Sequence, residues 1–95
     1  MNKLPIEVGS VVISKAGRDA GRLFIVVEAV DDDFVMIANG ALRKMDRQKK
    51  KRRKHLKPTG RVVTELKERL SQAKPVEDHE LRTWLSEEEE KLVQV

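Results

Sequence analysis

The chain has no cysteine and no tyrosine. Without thiols it can form neither disulfides nor thiolate metal sites. Histidine occurs twice, as His55 and His79, too few for a metal centre built mainly from imidazoles. No apolar run approaches the roughly 18 residues of a membrane span, and the opening "MNKLPIEVGS" carries no apolar core of the signal-peptide kind. The expectation is a cytoplasmic protein with no membrane partner. Aromatic residues are scarce, at 3% of 95 residues, which gives poor support to a sheet that stacks RNA bases on aromatic rings. There is no phosphate-binding P-loop, no nucleophile elbow and no zinc-binding histidine pair. No acid and base are placed to converge, so the expectation is a protein that is not an enzyme and needs no cofactor or metal.

Charge is what the chain has in quantity: 38% of its residues are Asp, Glu, Lys or Arg, for a net +4. The charge is unevenly spread. Residues 1–61 hold 15 Lys/Arg and 7 Asp/Glu, whereas residues 62–95 hold 5 and 9. A basic front and an acidic back imply two different surfaces. The basic part is a candidate polyanion binder, with nucleic acid the commonest such partner; a solubilising charge pattern is the alternative. The densest stretch is "RQKKKRRKHLK" (47–57), in which eight of eleven positions are Lys or Arg.

The front half reads as short strands. "VGSVVIS" (8–14), "LFIVVEAV" (23–30) and "FVMIAN" (34–39) are rich in β-branched residues, and Gly9, Gly17, Gly21 and Gly40 argue against helices. "KAGRDAGR" (15–22) is a turn-forming loop, and "DDD" (31–33) is a polar connection short enough for a hairpin. Asn39-Gly40 predicts a type I′ hairpin, because both residues tolerate positive φ. "ALRKM" (41–45) would then be a fourth strand. "RKHLK" (53–57) would be a short fifth strand closed by Pro58 and Gly60, with 47–52 a mobile basic loop. In this arrangement Leu56 points inward. Phe24 and Phe34 are assigned to the core.

In "RVVTELKERLSQA", Val62, Val63, Leu66, Leu70 and Ala73 fall on one helical face, with Thr59 or Gly60 as a start. Pro75 breaks this helix, and Asp78 is a candidate cap for a second one that places Leu81, Trp84, Leu85 and Leu92 on one stripe. Ser86 and Glu89 form a capping-box pattern that would stop this helix at Leu85 and restart it. Trp84 is read as a packing residue. His79 and "EEEE" (87–90) are read as solvated; the acidic run could also dock a basic partner. The fold expected is a mainly β, small barrel or sandwich of about five short strands at 1–60, followed by a C-terminal appendage of two helices at 61–95.

Candidate binding residues follow from the basic loop and the basic run. Lys15, Gly17, Arg18, Gly21 and Arg22 lie in one loop where glycines permit close backbone approach and cations meet phosphates; on the loop alone, a tight turn with exposed charges is the alternative. Arg43, Lys44, Arg47, Lys49, Lys50, Lys51, Arg52, Arg53, Lys54, His55 and Lys57 would join them on one surface if the barrel returns its last strands near that loop. His55, when neutral, can still donate one hydrogen bond to a phosphate or base; an ordinary strand residue is the alternative reading.

Residues 8–37, "VGSVVISKAGRDAGRLFIVVEAVDDDFVMI", resemble a KOW module, the β–loop–β motif of ribosomal proteins and transcription elongation factors. The continuation "ANGALRKMDRQKKKRRKHLKPTGR" resembles the archaeal and eukaryotic large-subunit ribosomal family numbered fourteen-e, matched at His55, Leu56, Pro58 and Thr59. The whole chain resembles small bacterial KOW-domain RNA-binding proteins related to the fourteen-e, six-e and twenty-seven-e families. The resemblance covers about residues 6–60. It implies an SH3-like β-barrel, contact with ribosomal RNA through the loop at Lys15, Gly17, Arg18, Gly21 and Arg22, and RNA contact along 47–57. The function expected is binding of ribosomal or other structured RNA. An adaptor that docks on a ribosomal, transcription or translation protein, with the acidic helices as a second dock, is the alternative.

Overall fold

Period-two alternation accounts for the sheet. The structure is a computed structural model that describes residues 5–93. Its strands are β1 (Ser10–Ser14), β2 (Leu23–Ala29), β3 (Phe34–Ala38), β4 (Lys49–Arg52) and β5 (Leu56–Val62). They form one antiparallel sheet in the order β4-β3-β2-β1-β5. Alternate residues supply two separate apolar clusters. Val12, Phe24, Val26, Val35, Ile37 and Leu56 form one. Val11, Ile25, Val27 and Ala38 face the other way and join residues from the helices.

The first cluster is buried although, among the described residues, the one partly buried apolar neighbour packed on it from outside the sheet is Ile6. The sheet therefore wraps around its own side chains. The chain connectivity requires the same thing. β4 and β5 lie at opposite ends of the strand order, yet only the 3₁₀ turn Arg53–His55 joins them. A flat five-stranded sheet would hold its edges roughly 19 Å apart, whereas three residues of 3₁₀ helix rise about 6 Å. The sheet curls into a small SH3-like barrel, the mainly β architecture that the strand pattern predicts, with Leu56 inside it.

The sheet departs from the sequence expectation at several points. Asn39-Gly40 is not a type I′ hairpin: Gly40 has φ +77°, but Ala73 alone among the described non-glycine residues has a positive φ. Asn39 instead accepts backbone N–H bonds from Ala41 and Arg43 at its Oδ1, and 41–45 is a loop rather than a strand. The fourth strand is Lys49–Arg52, inside the run expected to be mobile. The fifth begins at Leu56 and continues through Pro58 and Gly60. Pro58 is tolerated because β5 is last in the strand order. Gly60, at φ +86°, lies in the register shift between the Ser10–Val62 and Val12–Pro58 pairs. Finally, Phe34 is half-exposed rather than core.

Helix α1 (Thr64–Ser71) follows β5 directly, with Val63 as its cap residue. Val62 belongs to the strand and is exposed, whereas Val63, Leu66 and the half-buried Leu70 face the sheet. Ala73 lies beyond the helix at φ 56°. There Ala73 N–H donates to the Leu70 carbonyl (3.1 Å) and Lys74 N–H to that of Arg69 (2.9 Å), a Schellman stop. Helix α2 (Asp78–Val93) is continuous through Ser86. Its N-terminus is closed by Glu80, whose Oε1 accepts from Glu77 N–H at 3.1 Å. Asp78 does not cap it; its carboxylate accepts from Met45 N–H at 2.8 Å.

Leu81, Trp84 and Leu85 pack with Leu66 on the outer sheet face. Fully buried leucines such as Leu66 and Leu81 contribute about 1.5–3 kcal/mol each. Trp84 Nε1 donates to Glu65 Oε2 at 2.8 Å, which joins the two helices. Arg61 Nε donates to the buried Glu88 at 2.6 Å, which joins α2 to β5. Among the described residues no helix is long and apolar enough to cross a membrane.

Candidate nucleic-acid interface

The β1–β2 loop is built by its two glycines and one acid. Gly17 and Gly21 have φ +79° and +85°. The loop closes through Gly21 N–H to the Ser14 carbonyl at 2.8 Å and Arg22 N–H to the Asp19 carbonyl at 3.0 Å. Lys15, Arg18 and Arg22 are left exposed around it.

Asp19 turns the other way and is 3% exposed. Its carboxylate accepts from Arg43 Nη2 at 3.1 Å and Nε at 3.3 Å, and lies 3.5 Å from Lys49 Nζ. Burial pushes its carboxyl up, but the hydrogen bond and charge of Arg43, with Lys49 behind them, outweigh burial and hold it below the ordinary carboxylate value. A second tie runs from Lys51 Nζ to the Ala16 carbonyl at 3.0 Å. A Cβ added to Gly17 would stand 3.6 Å from that ammonium.

β4 sorts the basic run by alternation. Lys49 and Lys51 pair with Ile37 and Val35, and both reach the β1–β2 loop. Lys50 and Arg52 pair with Met36 and Phe34 and stay exposed. Lys50 Nζ lies 4.7 Å and Arg52 Cζ 4.9 Å from the centre of the Phe34 ring. Arg53 is committed internally, with Nε to the Asp31 carbonyl at 3.0 Å and Nη1 to the Ile6 carbonyl at 2.6 Å. The His55 carbonyl accepts from Lys15 N–H at 2.8 Å, so the last strand does return beside the loop.

Lys15, Arg52, Lys54 and Lys57 line a cleft of about 570 Å³ with Ile6, Leu56 and Pro58, facing Asp32 and Asp33. The "DDD" segment is a polar turn: Asp31 Oδ1 accepts from Asp33 and Phe34 N–H, both at 2.8 Å. These two N–H groups hold the Asp31 carboxyl below its ordinary value, with lesser help from Lys50 and Arg53.

The candidate residues thus divide. Arg43, Lys49, Lys51 and Arg53 hold the framework. Lys15, Arg18, Arg22, Lys44, Arg47, Lys50, Arg52, Lys54 and Lys57 offer exposed charge, and His55 is half-buried. Asp19 was missed as an organising residue. Its signal is a lone acid between two glycines in a basic loop.

No family model matches the chain. It is similar to archaeal proteins named large ribosomal subunit protein eL14. The one from Desulfurococcus amylolyticus is 36% identical over 58 residues, which cover 61% of this chain and 60% of the relative. That from Staphylothermus marinus is 31% identical over the same shares. That from Methanococcus maripaludis is 40% identical over 58 residues, or 69% of its length. The chain therefore spans about three fifths of the first two relatives and just over two thirds of the third. These relatives are archaeal and lend no support to the bacterial part of the resemblance. With 40% identity across more than two thirds of a relative, the chain belongs to the eL14 family of large ribosomal subunit proteins.

Proposed function

We propose that the protein is a non-enzymatic, ribosome-associated RNA-binding protein whose ligand is ribosomal or other structured RNA. The observation that carries this is the pinning of the β1–β2 loop to the basic segment by Asp19 and Lys51. Two sets of exposed cations, Lys15, Arg18 and Arg22 on one side and Lys44, Arg47, Lys50, Arg52, Lys54 and Lys57 on the other, then belong to one rigid body. Residues 1–60 carry the RNA-facing surface in this reading, and residues 61–95 are a helical appendage that supports the outer sheet face. Backbone phosphates are met by cations in fixed positions, so the shape of the RNA decides the fit.

Filter binding across a salt series tests the proposal. Neutralising about six phosphates gives a slope of log K against log salt of roughly −4 to −5. A flat salt response rejects it. Co-sedimentation of the endogenous protein with large-subunit particles tests the ribosomal association, and loss of that association after nuclease treatment separates RNA binding from docking on a protein.

A further inference from the structure

The geometry points to a nucleobase-stacking site at Phe34, an element that deepens the RNA-binding reading above and rests on it. Of the two phenylalanines, Phe24 is fully buried in the barrel, whereas Phe34 begins β3 on the outer face and is half-exposed. It sits beyond the area that the helices cover: Met36 and Ala38, on the same face of β3, pack into the helix-side cluster, and Phe34 does not.

Its neighbours are two cations rather than apolar side chains. Lys50 and Arg52 both lie over the ring, within 5 Å of its centre. Neither forms a salt bridge among the described residues. A surface aromatic ring with mobile cations beside it is the arrangement used for sequence-tolerant binding of single-stranded nucleic acid, where the cations move aside to meet the adjoining phosphates and the base stacks on the ring. An exposed cation–π contact is the weaker interaction, so a base can replace it. Arg52 also lines the 570 Å³ cleft beside the Asp32–Asp33 turn. It therefore links the ring to a concavity large enough for a neighbouring nucleotide. The ligand is an unpaired, splayed-out nucleotide, such as one in a loop or bulge of a structured RNA. Duplex bases, already stacked, cannot use the ring.

The test compares Phe34→Leu and Phe34→Tyr with the wild type on a poly-uridine 12-mer and on a blunt RNA duplex. The expected result is a loss of about 5- to 100-fold for Phe34→Leu on the single strand. Duplex binding and the salt slope should be unchanged, and Phe34→Tyr should keep wild-type affinity. Phe34→Trp supplies a direct readout: its added fluorescence should be quenched at saturation with single strand. The native Trp84, buried and bonded to Glu65, should not respond. Equal single-strand affinity for Phe34→Leu and wild type, or an unquenched Trp at this position in a complex that forms, overturns the stacking site and leaves the RNA-binding reading standing. Absence of any RNA binding by the wild type overturns both.

Discussion

The Asp19 carboxylate receives two hydrogen bonds from Arg43, at 3.1 and 3.3 Å, across 24 positions of sequence. This contact converts the loop after β1 and the segment before β4 into neighbours with a fixed separation. Because Asp19 is buried with its carboxyl below the ordinary value, the ion pair stabilises the fold above about pH 4, and the stabilisation is lost as pH falls through the lowered value. Arg43 and Lys49 are each about a third exposed, so screening limits the effect to about 1 kcal/mol. Asp19→Asn should lower stability by that amount at neutral pH, and the difference should shrink at acid pH, below about pH 4. Urea midpoints at neutral and acid pH check this.

Alternation along β4 should separate two phenotypes within four consecutive basic residues. Lys51→Met removes the bond to the Ala16 carbonyl and should cost about 1 kcal/mol of stability. Lys50→Gln should cost less, the loss of one exposed contact with Phe34, and reduce the salt slope of RNA binding by about one. Chemical denaturation and filter binding on both variants give the answer.

Two loop glycines with the same backbone requirement should differ in cost. Gly40 has φ +77°, and an added Cβ would collide with the Asp78 carbonyl and press on Arg82. Arg82 also donates to the Gly40 carbonyl at 2.5 Å. Gly21 has φ +85° with no atom within 4 Å of such a Cβ. Gly21→Ala should cost about 1–2 kcal/mol, the left-handed penalty alone, and Gly40→Ala clearly more, because the start of α2 must shift. Thermal melts of the pair decide it.

Ala73 occupies the left-handed position of a Schellman stop, where glycine is the usual residue. Ala73→Gly should stabilise the protein by about 0.5–1 kcal/mol, as relief of left-handed strain exceeds the added freedom of the unfolded chain. A higher urea midpoint with an unchanged slope is the expected result.

The barrel was legible because its signal is local. The runs at β1, β2 and β3 are short, rich in β-branched residues and buried on both faces, and Leu81, Trp84 and Leu85 stand at helical spacing. β4 was not legible: "KKKR" has no apolar residue, and it becomes a strand only through its ladder with β3. The Asn39-Gly40 signal failed because Asn39 Oδ1 takes the Ala41 and Arg43 N–H groups, while α2, distant in sequence, fills the space beside Gly40 and binds its carbonyl through Arg82. Asp78 was misread for the same reason, since its carboxylate goes to Met45. The basic run was legible as charge, but which of its lysines face outward depends on a register that the residues themselves do not encode.

The three-residue link between β4 and β5 also bears on how the protein folds. The pairings β1–β2, β2–β3 and β3–β4 join consecutive strands, so a four-stranded meander can form by local steps. The β1–β5 pairing brings Val12 to Pro58 and must wait for the rest of the chain. Closure is then the slow, non-local event. It sets Leu56 in the interior and presents β5 to the helices that follow. Until it happens the outer edge of β1 is unpaired, so β1 is the segment that a nascent chain must keep from pairing with another copy.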